Sequence, residues 1–230
     1  FVLDNFILEK VKALFSDRGL HFIQWIDSGW FNVFSQAPVR VPEDIIGMRM
    51  RAAGGAAARI FLQEAGADVA QLPFADLVPG LQTGLLSGGA TNTSMYRAVA
   101  LYDLAPYITL TRHGLNPGAV FANKKWFDGL EKHNQGLIMG GIAATEIVRS
   151  DVRGEGVEAL TFSKSKGATI ITLSATERAA WKNAASATHL KLIDEIGGET
   201  AALYDLIQSG RSAFAAGVSG TGAPGTDASR

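Results

Sequence analysis

The residues best suited to chemistry lie in the stretch from Gly47 to Ser94. Arg51 ends a strand-like run, GMRMR, and the glycine-rich helix start AAGGAAARIF follows it. Ligands of open α/β sheets bind at the carboxyl ends of the strands, beside helix N-termini that favour anions. An arginine at such a point adds a planar fork of N–H donors that matches a carboxylate. The pattern therefore predicts an anion pocket anchored by Arg51, with an ordinary surface arginine as the alternative.

Further candidate ligand-binding residues supply hydrogen bonds or apolar contact. Thr91 and Asn92 belong to the polar run TNTS, which follows two glycines and an alanine. They predict solute contacts, although a solvated turn would show the same composition. Phe74 follows a proline ahead of a helix and either lines the pocket or packs in the core. The same two alternatives hold for Trp30 and Phe31.

Signals for catalysis are weak throughout the chain. Cys is absent, which excludes thiolate nucleophiles, disulfides and Cys-ligated metals. No G-x-S-x-G elbow, P-loop or pair of carboxylates is placed for chemistry. The four histidines lack metal-ligand spacing and are predicted to lie at the surface or to be hydrogen-bonded: His21, His113, His133 and His189. The sequence therefore predicts a protein that is not an enzyme and uses no cofactor or metal, with an α/β enzyme as the least favoured alternative.

Composition bounds the class of protein. The chain has 230 residues, 47% hydrophobic and 19% charged, so a packed core is expected in one large or two small domains. Its formal net charge of −1 gives no basic field for nucleic acid. No apolar run approaches the roughly 20 residues that span a bilayer. The chain opens on Phe1 and shows no signal peptide, which predicts a processed or fragmentary product.

Strands alternate with helices along the chain, which indicates an α/β fold with a mostly parallel sheet. Helices are predicted over residues 3–16, 55–65, 75–86, 95–103, 174–196 and 200–209, and a mainly helical segment over 124–165. Strands are predicted over residues 21–26, 29–35, 48–51, 68–73, 107–110, 118–123 and 168–173. Ser174 and Glu177 are spaced as a capping box that opens a helix. The glycine- and serine-rich residues 210–230 are predicted to form a flexible tail.

These segments together resemble the solute-binding proteins of tripartite ATP-independent periplasmic (TRAP) transporters, the DctP-like family. The resemblance runs through VPEDIIGMRMRAAGG, AGADVAQLPFADLVPGLQTGLLSGG, LYDLAPYITLTRH, NPGAVFANKKWFDGL and GATIITLSATERAAWKNAA. It implies a periplasmic, two-domain α/β clamp that closes on a small organic acid and delivers it to the membrane subunits of a TRAP transporter.

The resemblance also implies roles for particular residues. Arg51 matches the family arginine that pairs with the solute carboxylate, and Phe74 matches a phenylalanine that lines the cleft. Thr91 aligns with a family asparagine, and the adjacent Asn92 is expected to substitute for it.

Two further positions depart from the family pattern. Ala90 replaces a glutamate of the same loop, and Phe31 stands where a second cleft arginine is common.

Domain boundaries follow from the same resemblance. Residues 1–28 and 117–156 are expected to form a remnant of domain one with a bridging helix, and residues 29–116 and 157–209 are expected to form domain two. The resemblance implies that the family's N-terminal segment is missing here, so domain one is expected to be incomplete, with exposed sheet edges. The alternative function is therefore a truncated, ligand-incompetent domain that acts as an interaction or assembly unit, for example as a homodimer.

Overall fold

The structure, a computed structural model, describes residues 1–52, 55–142 and 144–218. Its α-helices are α1 (Leu8–Ser16), α2 (Ala56–Glu64), α3 (Leu77–Gln82), α4 (Thr93–Ala98), α5 (Lys124–Asp128), α6 (Lys132–Gly140), α7 (Thr145–Ser165), α8 (Ala175–Ala184), α9 (Thr188–Ile196) and α10 (Thr200–Ala215). Its strands are β1 (Leu20–Ile26), β2 (Trp30–Ser35), β3 (Arg49–Arg51), β4 (Asp68–Ala70), β5 (Gly88–Thr91), β6 (Tyr107–Leu115), β7 (Gly118–Asn123) and β8 (Thr169–Ile171). None of these helices combines the length and the apolar character that a membrane span needs.

The chain divides into two compact units. Unit 1 comprises Phe1–Gln24, Ala119–Ile142 and Ile193–Arg230, and unit 2 comprises Trp25–Gly118 and Ala143–Leu192. All of the predicted ligand-binding residues fall in unit 2.

Unit 2 is built on a six-stranded sheet with the order β4-β3-β5-β2-β6-β8. Strand β2 runs antiparallel to both of its neighbours, β5 and β6. The other neighbouring pairs, β3 with β4, β3 with β5 and β6 with β8, are parallel. The expected α/β architecture is therefore confirmed, with a mixed sheet in which an antiparallel strand joins two parallel groups.

Two apolar clusters cover the two faces of this sheet. Successive side chains of a strand point to opposite faces, and in β2 Val33 belongs to one cluster and Phe34 to the other. The Val33 cluster includes Met50 of β3 and Trp181 of α8. The sheet therefore has apolar side chains packed on both of its faces.

Some predicted elements differ in extent from the observed ones. Helix α4 stops at Ala98, short of the predicted end at residue 103, because Ala100 adopts a left-handed conformation with φ of 51°. The predicted helix over 174–196 is split into α8 and α9, where Thr188 N–H bonds the Ala185 carbonyl in a tighter turn. Strand β6 continues to Leu115, beyond the predicted residue 110.

Unit 1 contains a helical cluster and part of a two-stranded sheet of β1 and β7. Helix α10 packs closely on the helical segment Leu3–Ile7 that precedes α1. A Cβ atom on Gly210 of α10 would stand only 2.9 Å from the Phe6 ring. Lys10 Nζ lies 2.7 Å from a carboxylate oxygen of Glu199 in the same cluster. These contacts place α10 in unit 1 rather than in the expected second domain.

The long helix α7 also departs from the expected boundaries, since it lies in unit 2 rather than partly in a remnant of domain one. It packs against α4, where a Cβ on Gly156 would stand 3.1 Å from Thr93 Oγ1. Helix α10 extends to Ala215, so the predicted tail from residue 210 is wrong at its beginning. The remainder of that prediction, residues 219–230, lies outside the described residues.

Candidate ligand-binding site

The parallel strands β4, β3 and β5 end together on one side of the unit 2 sheet, at their carboxyl ends; we call this side the sheet edge. Arg51, the last residue of β3, is paired with Ala70 of β4 and with Gly89 of β5. Thr91 lies two residues beyond Gly89, so strand alternation puts it on the same face as Arg51. The register thus brings a cation and a hydroxyl to the carboxyl ends of adjacent strands, where ligands of α/β sheets bind.

Arg51 is a buried cation, with only 7% of its surface exposed. Its Nε donates a hydrogen bond to the Leu72 carbonyl at 3.0 Å. Within the described residues it forms no ion pair with a carboxylate. Desolvation by burial lowers the pKa of Arg51, but an arginine remains protonated in proteins. The guanidinium is therefore a buried positive charge that lacks an anionic partner in the described structure.

Phe74 covers one side of this cation. The Arg51 guanidinium carbon lies 5.6 Å from the centroid of the Phe74 ring, within reach of a cation–π contact. Phe74 opens the 3-10 turn Phe74–Asp76, and Pro73 precedes it. The ring is 47% exposed, so it is not the core residue of the alternative interpretation. An exposed aromatic face next to a buried cation can contact the apolar part of a bound molecule.

Thr91 ends β5 and Asn92 follows it, and the two side chains differ in their hydrogen bonds. Thr91 is buried, and its hydroxyl makes no hydrogen bond within the described residues. Asn92 is the N-cap of α4, and its Oδ1 accepts from Met95 N–H at 2.7 Å. Capping uses the amide oxygen, so only the Asn92 amide nitrogen is left to donate to a ligand. Thr91 is paired with Asn32 of β2.

Asn32 is a buried polar residue that the sequence analysis missed. Its Nδ2 donates to the Trp30 carbonyl at 3.0 Å, and its Oδ1 accepts from Arg112 N–H at 3.1 Å. It therefore fixes the end of β2 against β6 at the side of Thr91. A buried amide needs such partners on both of its ends, and the sequence carried no local signal for them.

The two predicted aromatic residues of β2 lie in different environments. Trp30 is 49% exposed. The Phe31 ring is partly buried, and its centroid lies 6.4 Å from that of His113 in a stacked arrangement. Phe31 is thus engaged by a neighbouring ring, whereas Trp30 presents an open apolar surface.

His113 was predicted to lie at the surface or to be fully hydrogen-bonded, and the structure shows neither. Its ring stacks on Phe61, with centroids 4.0 Å apart, and Phe61 in turn stacks on Trp181 at 5.9 Å. Its Nδ1 lies 2.8 Å from Thr111 Oγ1, and its Nε2 is buried without a partner among the described residues. Burial lowers the pKa of His113 to about 3, so the ring is neutral at physiological pH.

An irregular stretch of β6 holds this histidine. The pairing of β2 with β6 shifts register between Phe31 and Val33, and Arg112 adopts φ of 46°. The Arg178 guanidinium donates to the Thr111 carbonyl at 3.0 Å and to the Leu110 carbonyl at 3.2 Å. Carbonyls that leave the ladder at a bulge need such donors. Arg178 therefore has a structural role in this stretch.

A different concave region has mixed charge. A cavity of about 370 Å³ beside α4 and α7 is lined by Ser94, Arg97, Ala98, Glu155, Glu158 and Ala159. Two carboxylates outnumber one guanidinium there, and Arg97 already lies 4.5 Å above the Phe162 ring. The anion site is thus better placed at Arg51. No cluster of potential metal ligands occurs within the described part of the chain.

Known proteins share this architecture. Residues 2–195 match DctP, the bacterial extracellular solute-binding protein family 7. The chain is 27% identical over 198 residues to the C4-dicarboxylate-binding periplasmic protein DctP of Rhodobacter capsulatus. The matched segment covers 85% of this chain and 58% of that protein. It is 26% identical over 202 residues to the ectoine-binding periplasmic protein TeaA of Halomonas elongata. That match covers 86% of this chain and 59% of TeaA.

A solved structure supports the same relationship. The periplasmic ectoine-binding protein of the TeaABC TRAP transporter of Halomonas elongata superposes with a TM-score of 0.82 at 26% identity, over 90% of this chain and 69% of that chain. The matched part of the chain spans 58% of the Rhodobacter capsulatus protein and 59% of TeaA, which is less than two thirds of their length. Because the family match extends over most of its residues, the chain belongs to the DctP family of bacterial extracellular solute-binding proteins.

Proposed function

We propose that this chain is part of the extracytoplasmic solute-binding component of a TRAP transporter, and that it captures a small organic acid through the acid's carboxylate. It would act in the periplasm and deliver its ligand to the membrane subunits of the transporter. Its task would be binding and release without chemical conversion.

One observation carries this proposal: Arg51 is a buried cation at the sheet edge without a carboxylate partner in the described residues. An isolated buried charge is strongly unfavourable unless an opposite charge compensates it. A ligand carboxylate would supply that charge through a bidentate pair with the guanidinium. We propose Thr91 and Asn92 as hydrogen-bonding residues and Phe74, Trp30 and Phe31 as apolar contacts.

The relatives support this assignment. By their names, the Rhodobacter capsulatus and Halomonas elongata proteins bind C4-dicarboxylates and ectoine in the periplasm. Both kinds of ligand contain carboxylates. The proposal that this chain shares that property rests on Arg51, because its guanidinium lies at the carboxyl ends of the strands, where α/β proteins bind ligands.

Substitution of Arg51 tests the proposal directly. A thermal-shift screen of organic acids first identifies an acid that raises the melting temperature by mass action. Calorimetry with that acid should then show at least about tenfold weaker binding by Arg51→Ala, because a charge-assisted hydrogen bond contributes about 1.5–3 kcal/mol. Arg49→Ala is the matched control, since Arg49 lies on the same strand but is exposed. Unchanged affinity in Arg51→Ala would show that the assigned role is wrong.

A second candidate function is an assembly unit that binds no ligand. Unit 1 exposes several large apolar side chains, including Phe121, Trp126 and Leu137, the last with 60% of its surface exposed. Apolar surface of this kind often marks an interface between proteins, here between two copies of the chain. Analytical ultracentrifugation separates the candidates, because a stable dimer without an acid response favours assembly, whereas an acid-stabilised monomer favours solute binding.

A further inference from the structure

The charge of the candidate site limits the class of acid that it can accept. Arg51 is the one charged side chain that is buried among the described residues. Arg178 of α8 directs both terminal nitrogens at main-chain carbonyls of β6. The side chain of Arg112 is exposed, and the ring of His113 is neutral. The edge of the unit 2 sheet thus offers one buried positive charge to a ligand.

The hydrogen-bonding capacity around Arg51 is equally small. The hydroxyl of Thr91 is available, and the Asn92 amide can donate only from its nitrogen because its oxygen caps α4. The amide of Asn32 is engaged at both ends by main-chain groups. Among the described residues, these side-chain donors suffice for one carboxylate and leave none for a second.

Two aromatic side chains of the proposed site are exposed. Phe74 lies over the Arg51 guanidinium and is 47% exposed. Trp30 is the first residue of β2, two residues before Asn32, and is 49% exposed. Exposed aromatic rings at a site with few polar groups favour the apolar part of a ligand.

We propose that the ligand is a monocarboxylate with an apolar body, and that the site discriminates against dicarboxylates. This inference rests on the proposed function, because it assumes that Arg51 binds a carboxylate. One carboxylate neutralises Arg51, and the apolar body lies against Phe74 and Trp30. A second carboxylate would lose its hydration beside these rings without gaining a partner.

Matched acids test the inference by calorimetry on the chain. Hexanoate and adipate have the same number of carbons and differ by one carboxylate, and 1-hexanol lacks the carboxylate. We expect hexanoate to bind at least about tenfold more tightly than adipate, a difference of about 1.4 kcal/mol, and 1-hexanol to bind weakest. Adipate binding as tightly as hexanoate would overturn the inference but leave the proposed function standing. Binding of neither acid would also overturn the inference, and the proposed function would fail with it only if no acid of the thermal-shift screen binds either.

Two variants locate the discrimination. Trp30→Arg adds a cation at a half-exposed position and should shift the preference toward adipate by about tenfold, whereas the control Trp126→Arg, at an exposed position of unit 1, should not. Phe74→Ala should weaken hexanoate binding more than acetate binding, since acetate has almost no apolar body. An unchanged ratio of hexanoate to adipate affinity in folded Trp30→Arg, judged by its circular dichroism, would contradict the proposed position of the apolar body.

Discussion

At the scale of single residues, unit 2 buries two basic side chains in opposite ways. Arg51 keeps its charge at the sheet edge, where a cation–π contact with Phe74 and one main-chain carbonyl compensate it only in part. His113 gives up its charge, because its ring is stacked on Phe61 and its pKa is lowered to about 3. The first arrangement leaves a positive charge without an anionic partner among the described residues, whereas the second contributes packing at neutral pH.

The buried histidine predicts a pH dependence of stability. The pKa of His113 is about 3 in the folded state and about 6.5 for an ordinary histidine in the unfolded chain. The unfolded chain therefore takes up the proton first, and the contribution of neutral His113 is complete above pH 6.5 and declines toward pH 3. Below pH 6.5 we expect the unfolding free energy of His113→Phe to fall less steeply with decreasing pH than that of the original chain. The two slopes should differ by up to about 1.4 kcal/mol per pH unit.

The matched control is His133→Phe, because His133 is exposed on α6. Urea titrations of the three proteins at several pH values between 4 and 7 provide the measurement. Parallel pH profiles for the original chain and His113→Phe would mean that His113 is protonated in the folded state, contrary to its burial.

At the scale of elements, local sequence signals predicted what depends on neighbours in the chain. The strand that ends at Arg51 and the capping box at Ser174 are both present, with Glu177 N–H donating to Ser174 Oγ at 3.2 Å. Asn32 and His113 escaped prediction because their burial depends on the pairing of β2 with β6. The bond between Arg112 N–H and Asn32 Oδ1 joins residues 80 positions apart. The register shift beside it has no signature in either segment alone.

The start of α8 gives a prediction at this scale. Ser174 Oγ accepts from Glu177 N–H, and a Glu177 carboxylate oxygen accepts from Ser174 N–H at 2.7 Å. Ser174→Ala should lower the unfolding free energy by about 1 kcal/mol, as loss of an N-cap typically does. Ser186→Ala, at an exposed turn after the same helix, should change it by less than about 0.5 kcal/mol. Equal effects of the two substitutions in urea denaturation would contradict a stabilising role for the cap.

At the scale of the whole molecule, the candidate site belongs to one unit. Arg51, Phe74, Thr91, Asn92 and Trp30 all lie within Trp25–Gly118 of unit 2. Unit 1 instead consists mainly of helices around α1 and α10, held together by contacts such as the rings of Phe1 and Phe214, 5.5 Å apart. Each unit thus has its own set of internal contacts. Local unfolding of the two units can therefore have different free energies.

This division predicts where a bound acid protects the backbone. A ligand at 100 times its dissociation constant stabilises the state that binds it by about 2.7 kcal/mol. If that state is folded unit 2, hydrogen-exchange mass spectrometry should show slower exchange in β3, β5 and α4 when a saturating acid is added. Exchange in α1 and α10 should change much less, because no candidate ligand residue lies there. Arg51→Ala at the same acid concentration is the control and should show less added protection in α4, because tenfold weaker binding reduces the stabilisation from about 2.7 to about 1.4 kcal/mol. Protection of equal size in α10 and in β5 would instead mean that the two units open as one, and binding energy at Arg51 would then stabilise the whole chain.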